Sequence, residues 1–293
     1  MRFSLFYFFI FIFVFTSLID CRCSRLDRPS DKRVEADKPA FDISRFHNSR
    51  EIQKMVFDTR FSEITRRFGD VIFEQTYSLE ISSGREKVEF QNKDLIEQAK
   101  NGDYHIKVEN SADRIMEVYY IDKKLYVSMN GKEFFLHSDD LTEARSRKES
   151  VYSQANSFLK SYAHFIKFVP DGEEERDGVK FLRYKTDIEP KPEKSEAERA
   201  YSLEEITGYI LLDKRSGGIV AVDIKGVIRY ERDSKIALSK FSIKSNIRKA
   251  SVPFSFKVPK IGSEPQKLRI EKDLLERLEK MEERVDTKEE EEE

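Results

Sequence analysis

From Val71 the chain alternates. Val71, Phe73, Tyr77, Leu79 and Ile81 stand at odd positions, with Glu74, Thr76, Ser78 and Glu80 between them. A period of two sends successive side chains to opposite faces, so the run reads as a strand with one face buried and one wet. Such a strand needs neighbours, and the sequence supplies turns to bring them. Asn101-Gly102 and Asn130-Gly131 lie between strand-like runs, and Asn and Gly tolerate the positive φ of a tight hairpin. Tyr104, Ile106 and Val108 alternate with His105, Lys107 and Glu109, and residues 115–121, 125–129 and 132–137 continue the meander. Residues 179–186, 206–213, 219–230, 236–245 and 252–258 resume it, with Ser216-Gly217-Gly218 and Asp233-Ser234 as further turns. The count is about ten strands, and an open sheet of that width must curl or close.

Two amphipathic helices are predicted to cover the sheet. Asn48-Ser49-Arg50-Glu51 has capping-box form, and Ile52, Met55, Val56, Ile64 and Phe68 give one apolar stripe that stops at Gly69. The second helix starts at Asp140-Leu141-Thr142-Glu143, carries Val151, Ala155, Phe158, Tyr162 and Ile166 at helical steps, and ends at Pro170 and Gly172. With Leu159 and Phe165 alongside, that stripe is wide and aromatic, and the concave face of the sheet is its available partner.

Residues 3–19 form a run of 17 without a charge, led by Arg2 and closed by Asp20, and they hold seven of the 23 Phe. Its length allows a signal peptide or a signal anchor. Its place at the N-terminus, ahead of a polar Arg-rich segment, favours export with a signal peptide at 1–20. Leu18-Ile19-Asp20-Cys21 resembles the bacterial lipobox, which would make Cys21 a lipidation site; Asp20 departs from the small residue usual there. Cleavage after Cys23 and an uncleaved anchor are the other outcomes. Residues 21–45 read as a polar tether, with Pro29 and Pro39 and no apolar period. Residues 46–262 are expected to form the folded domain.

At the other end, residues 263–293 carry 13 acids against 7 bases. Ser263 with Gln266 can cap a helix in which Leu274, Leu278, Met281 and Val285 keep heptad steps, so the tail is expected to be helical and acidic and to offer a surface for a protein partner. The charged stretch 189–199 reads as a loop. The formal net charge is -2; without the tail and the balanced first twenty residues it is +4, far from the basic stripe that nucleic-acid binding requires. Two Cys do not build a disulfide scaffold.

Motifs of catalysis and metal binding are absent from the sequence. His47, His105, His137 and His164 lie far apart, and no glycine-rich phosphate loop or nucleophile elbow occurs. Ser157 and Lys160 have the spacing of a Ser-x-x-Lys pair, but Ser128-Met129-Asn130 precedes that pair rather than following it, so a hydrolase is the weakest reading. The acids of residues 171–177 lack the alternating ligands of a calcium loop. The expectation is a non-enzymatic protein without cofactor or metal.

The order of signal segment, tether, helix, meander, central helix and further strands resembles the LolA/LolB-like lipoprotein-carrier superfamily, including LppX-type envelope lipoproteins. Local stretches that carry the likeness are Asn101-Gly102-Asp103-Tyr104-His105, Lys124-Leu125-Tyr126-Val127 before Asn130-Gly131, and Gly208-Tyr209-Ile210-Leu211-Leu212-Asp213. The resemblance implies an α+β, mainly β fold: a strongly curved antiparallel sheet, unclosed as a half-barrel, lidded by helices and holding acyl chains. No catalytic residue carries over, and the cavity arginine of such carriers has no counterpart that can be placed. The expected ligand-lining residues are Phe73, Tyr77, Leu79, Tyr104, Ile106, Phe158, Leu159, Tyr162 and Ile166. The expected ligand is a lipid or acylated molecule, and the expected place is the cell envelope, as an outer membrane lipoprotein facing the periplasm or the cell surface. The alternative is an interaction module of the same fold, with its core filled by its own side chains.

Overall fold

The computed structural model describes residues 42–66, 68–84, 86–189, 201–232 and 235–262. The expected signal peptide, Cys21, Cys23, the tether up to residue 41, residues 190–199 of the charged loop, the Asp233-Ser234 turn and the acidic tail from Ser263 lie outside the described residues.

Eleven strands form one antiparallel sheet among the described residues. They are β1 Val71–Ser83, β2 Glu86–Gln98, β3 Tyr104–Asn110, β4 Ile115–Ile121, β5 Lys124–Met129, β6 Phe135–Ser138, β7 Ile166–Arg176, β8 Val179–Ile188, β9 Tyr201–Asp213, β10 Ile219–Arg232 and β11 Lys235–Lys249. Their spatial order is β6-β5-β4-β3-β2-β1-β11-β10-β9-β8-β7, so β1 is central, β6 and β7 are edges, and the sheet is not closed into a barrel. The hairpins fall where the Asn-Gly pairs place them. Asn130 and Gly131 both take positive φ, 55° and 69°. In the first pair only Gly102 does, at 96°. Asp122 and Lys123, at 51° and 63°, make the β4–β5 turn without any glycine.

One helix joins the two edges. β6 leads into α3, the 22-residue helix Leu141–Tyr162, which leads through a 3-10 turn, Ala163–Phe165, into β7. At 1.5 Å per residue α3 is about 33 Å long, whereas eleven flat strands would be roughly 48 Å wide. The helix therefore lies as a chord across the concave side of a sheet that must curl. At Gly208 in β9 a Cβ would stand 1.9 Å from the Asp223 carbonyl oxygen, and φ is 128°, so only glycine lets β9 and β10 approach there.

Several sequence expectations are corrected. The first helix is two short ones, α1 Arg50–Phe57 and α2 Phe61–Thr65, preceded by a 3-10 turn at Ile43–Asn48. Ser49 caps α1. The free N–H groups at the start of α2 are met by a carboxylate from another element: Phe61 and Ser62 donate to Glu149 of α3 at 2.6 and 3.2 Å. A tertiary cap of this kind leaves no local signal.

The long helix stops at Tyr162, not at Pro170. Ile166 belongs to the helical step from Tyr162 and also to a new period of two with Phe168, and the structure takes the second: Ile166 and Phe168 are buried residues of β7. Pro170 is tolerated because β7 is an edge strand, with a register shift between Pro170 and Glu173. The acids of residues 171–176 thus belong to β7. Residues 252–258 form no strand. Pro253 and Pro259 cannot donate to a ladder, and the segment instead carries Phe254 and Phe256 across the outer face. There the Phe256 ring lies 6.3 Å from that of Tyr119, and Gly262 donates to the Phe134 carbonyl at 2.9 Å.

Candidate functional site

The odd residues of β1 face α3, and register carries that face across the sheet. Phe73 pairs with Ile96 and Ile247, Gln75 with Asp94 and Ser245, Tyr77 with Asn92 and Ile243, and Leu79 with Phe90 and Phe241. Along this face the structure changes character twice.

Near the start of β1 the concave side is filled. Phe73 lies 5.9 Å from the Phe61 ring and 5.6 Å from that of Tyr152, whose hydroxyl donates to the Ile219 carbonyl at 3.0 Å. Tyr104 donates to the Ala144 carbonyl at 2.6 Å and stacks on Tyr120. Ile106 is fully buried there. Lys148 is buried too: its ammonium donates to Gln98 and sits 5.4 Å from the Tyr104 ring, and burial lowers its pKa.

Next comes a band of amides and one acid. Gln75 Nε2 donates to Asp94 Oδ2 at 2.9 Å, Asn92 Nδ2 donates to Asp94 Oδ1 at 2.6 Å, and Asn92 also reaches Gln154 of α3 at 3.5 Å. Gln75, Asn92 and Asp94 are each buried. Burial pushes the Asp94 carboxyl up to about 7, against the hydrogen bonds from Gln75 and Asn92, which pull it down.

Beyond the band lies an aromatic strip. Phe158, one helical turn after Gln154, contacts Tyr77 at 6.0 Å, Tyr162 at 4.7 Å and Phe241 at 4.7 Å between ring centroids. A Cβ at Gly226 would stand 2.6 Å from the Phe241 ring, so the missing side chain makes room for it. Tyr162 and Tyr230 share a hydroxyl hydrogen bond of 3.0 Å, and Tyr201 closes the strip against Tyr162 and Phe165. Tyr77, Leu79, Phe90, Phe158, Tyr162 and Tyr230 are only half-buried, and Val88, opposite Ile81, is 39% exposed. Burial raises the pKa of Tyr77 and Tyr162, so both phenols stay neutral.

The nine expected lining residues therefore divide. Phe73, Tyr104, Ile106, Leu159 and Ile166 are enclosed by neighbouring side chains, whereas Tyr77, Leu79, Phe158 and Tyr162 are half-buried and adjacent. Phe90, Tyr201, Tyr230 and Phe241 join that strip, and sequence reasoning had not singled them out. Their signal was phase: Val88, Phe90, Asn92, Asp94 and Ile96 keep the period of two through β2.

Other chemistry is tied up. Ser157 is exposed, and the Lys160 ammonium pairs with Asp58 at 2.5 Å, which withholds it as a base. Ser128 donates to the Lys132 carbonyl at 2.6 Å. Asp171 binds Arg183 at 2.9 Å and Lys185 at 2.6 Å, and Glu174 binds Arg176 at 2.7 Å. Among the described residues no group of His, Cys, Asp and Glu is arranged to hold a metal.

No family model matches the chain. No curated protein matches it either. Solved structures similar to it include a LolA superfamily protein from Nitrosomonas europaea, at 9% identity over 69% of this chain and 94% of that one, with a TM-score of 0.22. A DUF1329 family protein from Desulfovibrio piger is 12% identical over 69% of this chain and 94% of its own, with a TM-score of 0.24. MucB is 12% identical over 74% of this chain and 65% of its own, with a TM-score of 0.25. These likenesses are distant, and the functional reading rests on the chain's own geometry.

Proposed function

We propose that this is an exported, non-enzymatic envelope protein, anchored through Cys21, that binds an acyl chain along the aromatic strip of its concave face. The observation that supports the reading most is the half-covered run of Tyr77, Leu79, Phe90, Phe158 and Tyr162, apolar surface inside a curved sheet that α3 does not seal. Each methylene moved there from water contributes about 0.8 kcal/mol, so a long chain can supply the roughly 8 kcal/mol of micromolar affinity. The purified chain, extracted with organic solvent and compared by native mass spectrometry before and after, should lose the mass of an acyl lipid. A chain that carries none and takes up none contradicts the proposal.

A second reading, an interaction module with a filled core, draws support from the packing of Phe61, Phe73 and Tyr152. It requires that the strip be covered by a protein partner rather than by lipid.

A further inference from the structure

The band that separates the filled half from the aromatic strip has a chemical bias of its own. Its amide donors are turned inward: both Asp94 carboxylate oxygens accept, from Gln75 and from Asn92, and Gln154 Oε1 accepts from Asn92. Gln75 Oε1 is buried without a hydrogen-bond partner. The Gln75 amide cannot simply turn over to find one, because that would set its oxygen against the Asp94 carboxylate and lose the 2.9 Å bond. A buried acceptor left open is costly, and a ligand donor is one way to satisfy it.

The band adjoins the strip on both layers. Gln154 precedes Phe158 by four residues on α3, and Asn92 is the register partner of Tyr77 in the sheet. The groups that face Asp94 are Gln75 from β1, Val108 from β3, Asn92 from its own strand and, through Asn92, Gln154 from α3. None of these is a cation that would balance a second negative charge.

We infer that this band reads the polar end of the bound chain and selects a head that presents N–H or O–H donors, an amide or a glycerol ester, over a carboxylate or a phosphate. The inference rests on the acyl-chain reading above. A donor head gives Gln75 Oε1 its missing partner, whereas an anionic head brings a second negative charge beside Asp94 in a buried site with no cation to balance it. The rise of the Asp94 carboxyl to about 7 agrees with a place that resists negative charge.

The test uses the intact chain and displacement of a fluorescent acyl reporter by four probes that share an oleoyl or oleyl chain: oleamide, monoolein, oleate and oleyl phosphate. At pH 8 the first two should act at about tenfold lower concentration than the last two. Asp94→Asn keeps the shape, removes the charge and replaces one acceptor by a donor, and it should bring the four within about twofold by tightening the anions. Gln75→Met serves if that variant does not fold: it removes the open acceptor and should weaken oleamide and monoolein while leaving oleate unchanged. Equal displacement by all four probes in the unaltered chain, or an unchanged ratio in folded variants, overturns the selection while leaving chain binding intact. Displacement by none of them overturns the acyl-chain reading and this inference together.

Discussion

The two halves of the concave face are built from the same kinds of residue and differ in what lies over them. Phe73, Tyr104 and Tyr152 in one half, and Tyr77, Phe158 and Tyr162 in the other, are all large aromatics at inward positions. The first group is sealed because α2 and the front of α3 stack on it, held by Glu149 on the Phe61 and Ser62 amides. The second lies where α3 ends at Tyr162 while β1, β2, β9, β10 and β11 are 13 to 15 residues long. Helix length against strand length, more than composition, decides which part of such a sheet is core and which is surface open to a ligand.

The largest effect that could break this contrast is truncation in the sealed half. Phe73→Ala should cost about 3 to 5 kcal/mol in denaturant unfolding, because the rings of Phe61 and Tyr152 cannot collapse into the space. A cost below about 1 kcal/mol would mean that half is not packed.

The next effect comes from the band between the halves. The folded Asp94 carboxyl, at about 7, lies above its ordinary value of 3.8, so the native state holds this proton more tightly than the unfolded chain does. Its stabilising contribution is complete below about pH 4 and is lost as pH rises through 7, up to roughly 4 kcal/mol in all. Unfolding measured from pH 4 to 8 in the unaltered chain and in Asp94→Asn checks this: the difference between the two should change across that window and level off above it. A constant difference would show that Asp94 ionises normally.

Smaller changes sharpen the open half. Phe158→Trp should alter stability by less than about 1 kcal/mol, since the strip has room, whereas a filled core would be overpacked by roughly 1 to 3 kcal/mol. The smallest effect is expected on the outer face of the same strand, where Thr76→Ala should cost under about 0.5 kcal/mol.

Much of the sheet was legible because alternation and Asn-Gly turns are local signals. Val71, Phe73, Tyr77, Leu79 and Ile81 do share the inner face, and both Asn-Gly pairs sit in hairpins. The misreadings occur where two periods coincide or where a distant group decides. Ile166 fits a helix and a strand equally well until β8 pairs with it, and α2 starts where it does because Glu149 reaches it from α3. Phe254 and Phe256 alternate as a strand does, but their prolines leave them to pack on Tyr119 and its neighbourhood instead. The polar band was hidden for another reason. Gln75, Asn92 and Asp94 occupy inward phases, where alternation leads one to expect apolar residues, so the pattern alone did not mark them as part of the buried face.

The chain has no Trp, so one introduced residue reports its surroundings alone. Phe158→Trp and Phe73→Trp, each titrated with monoolein brominated along its chain, place a reporter in the open half and in the sealed half. Saturable quenching of the fluorescence is expected at position 158 and little at position 73. Absence of quenching at 158, or equal quenching at both positions, would contradict this division of the concave face.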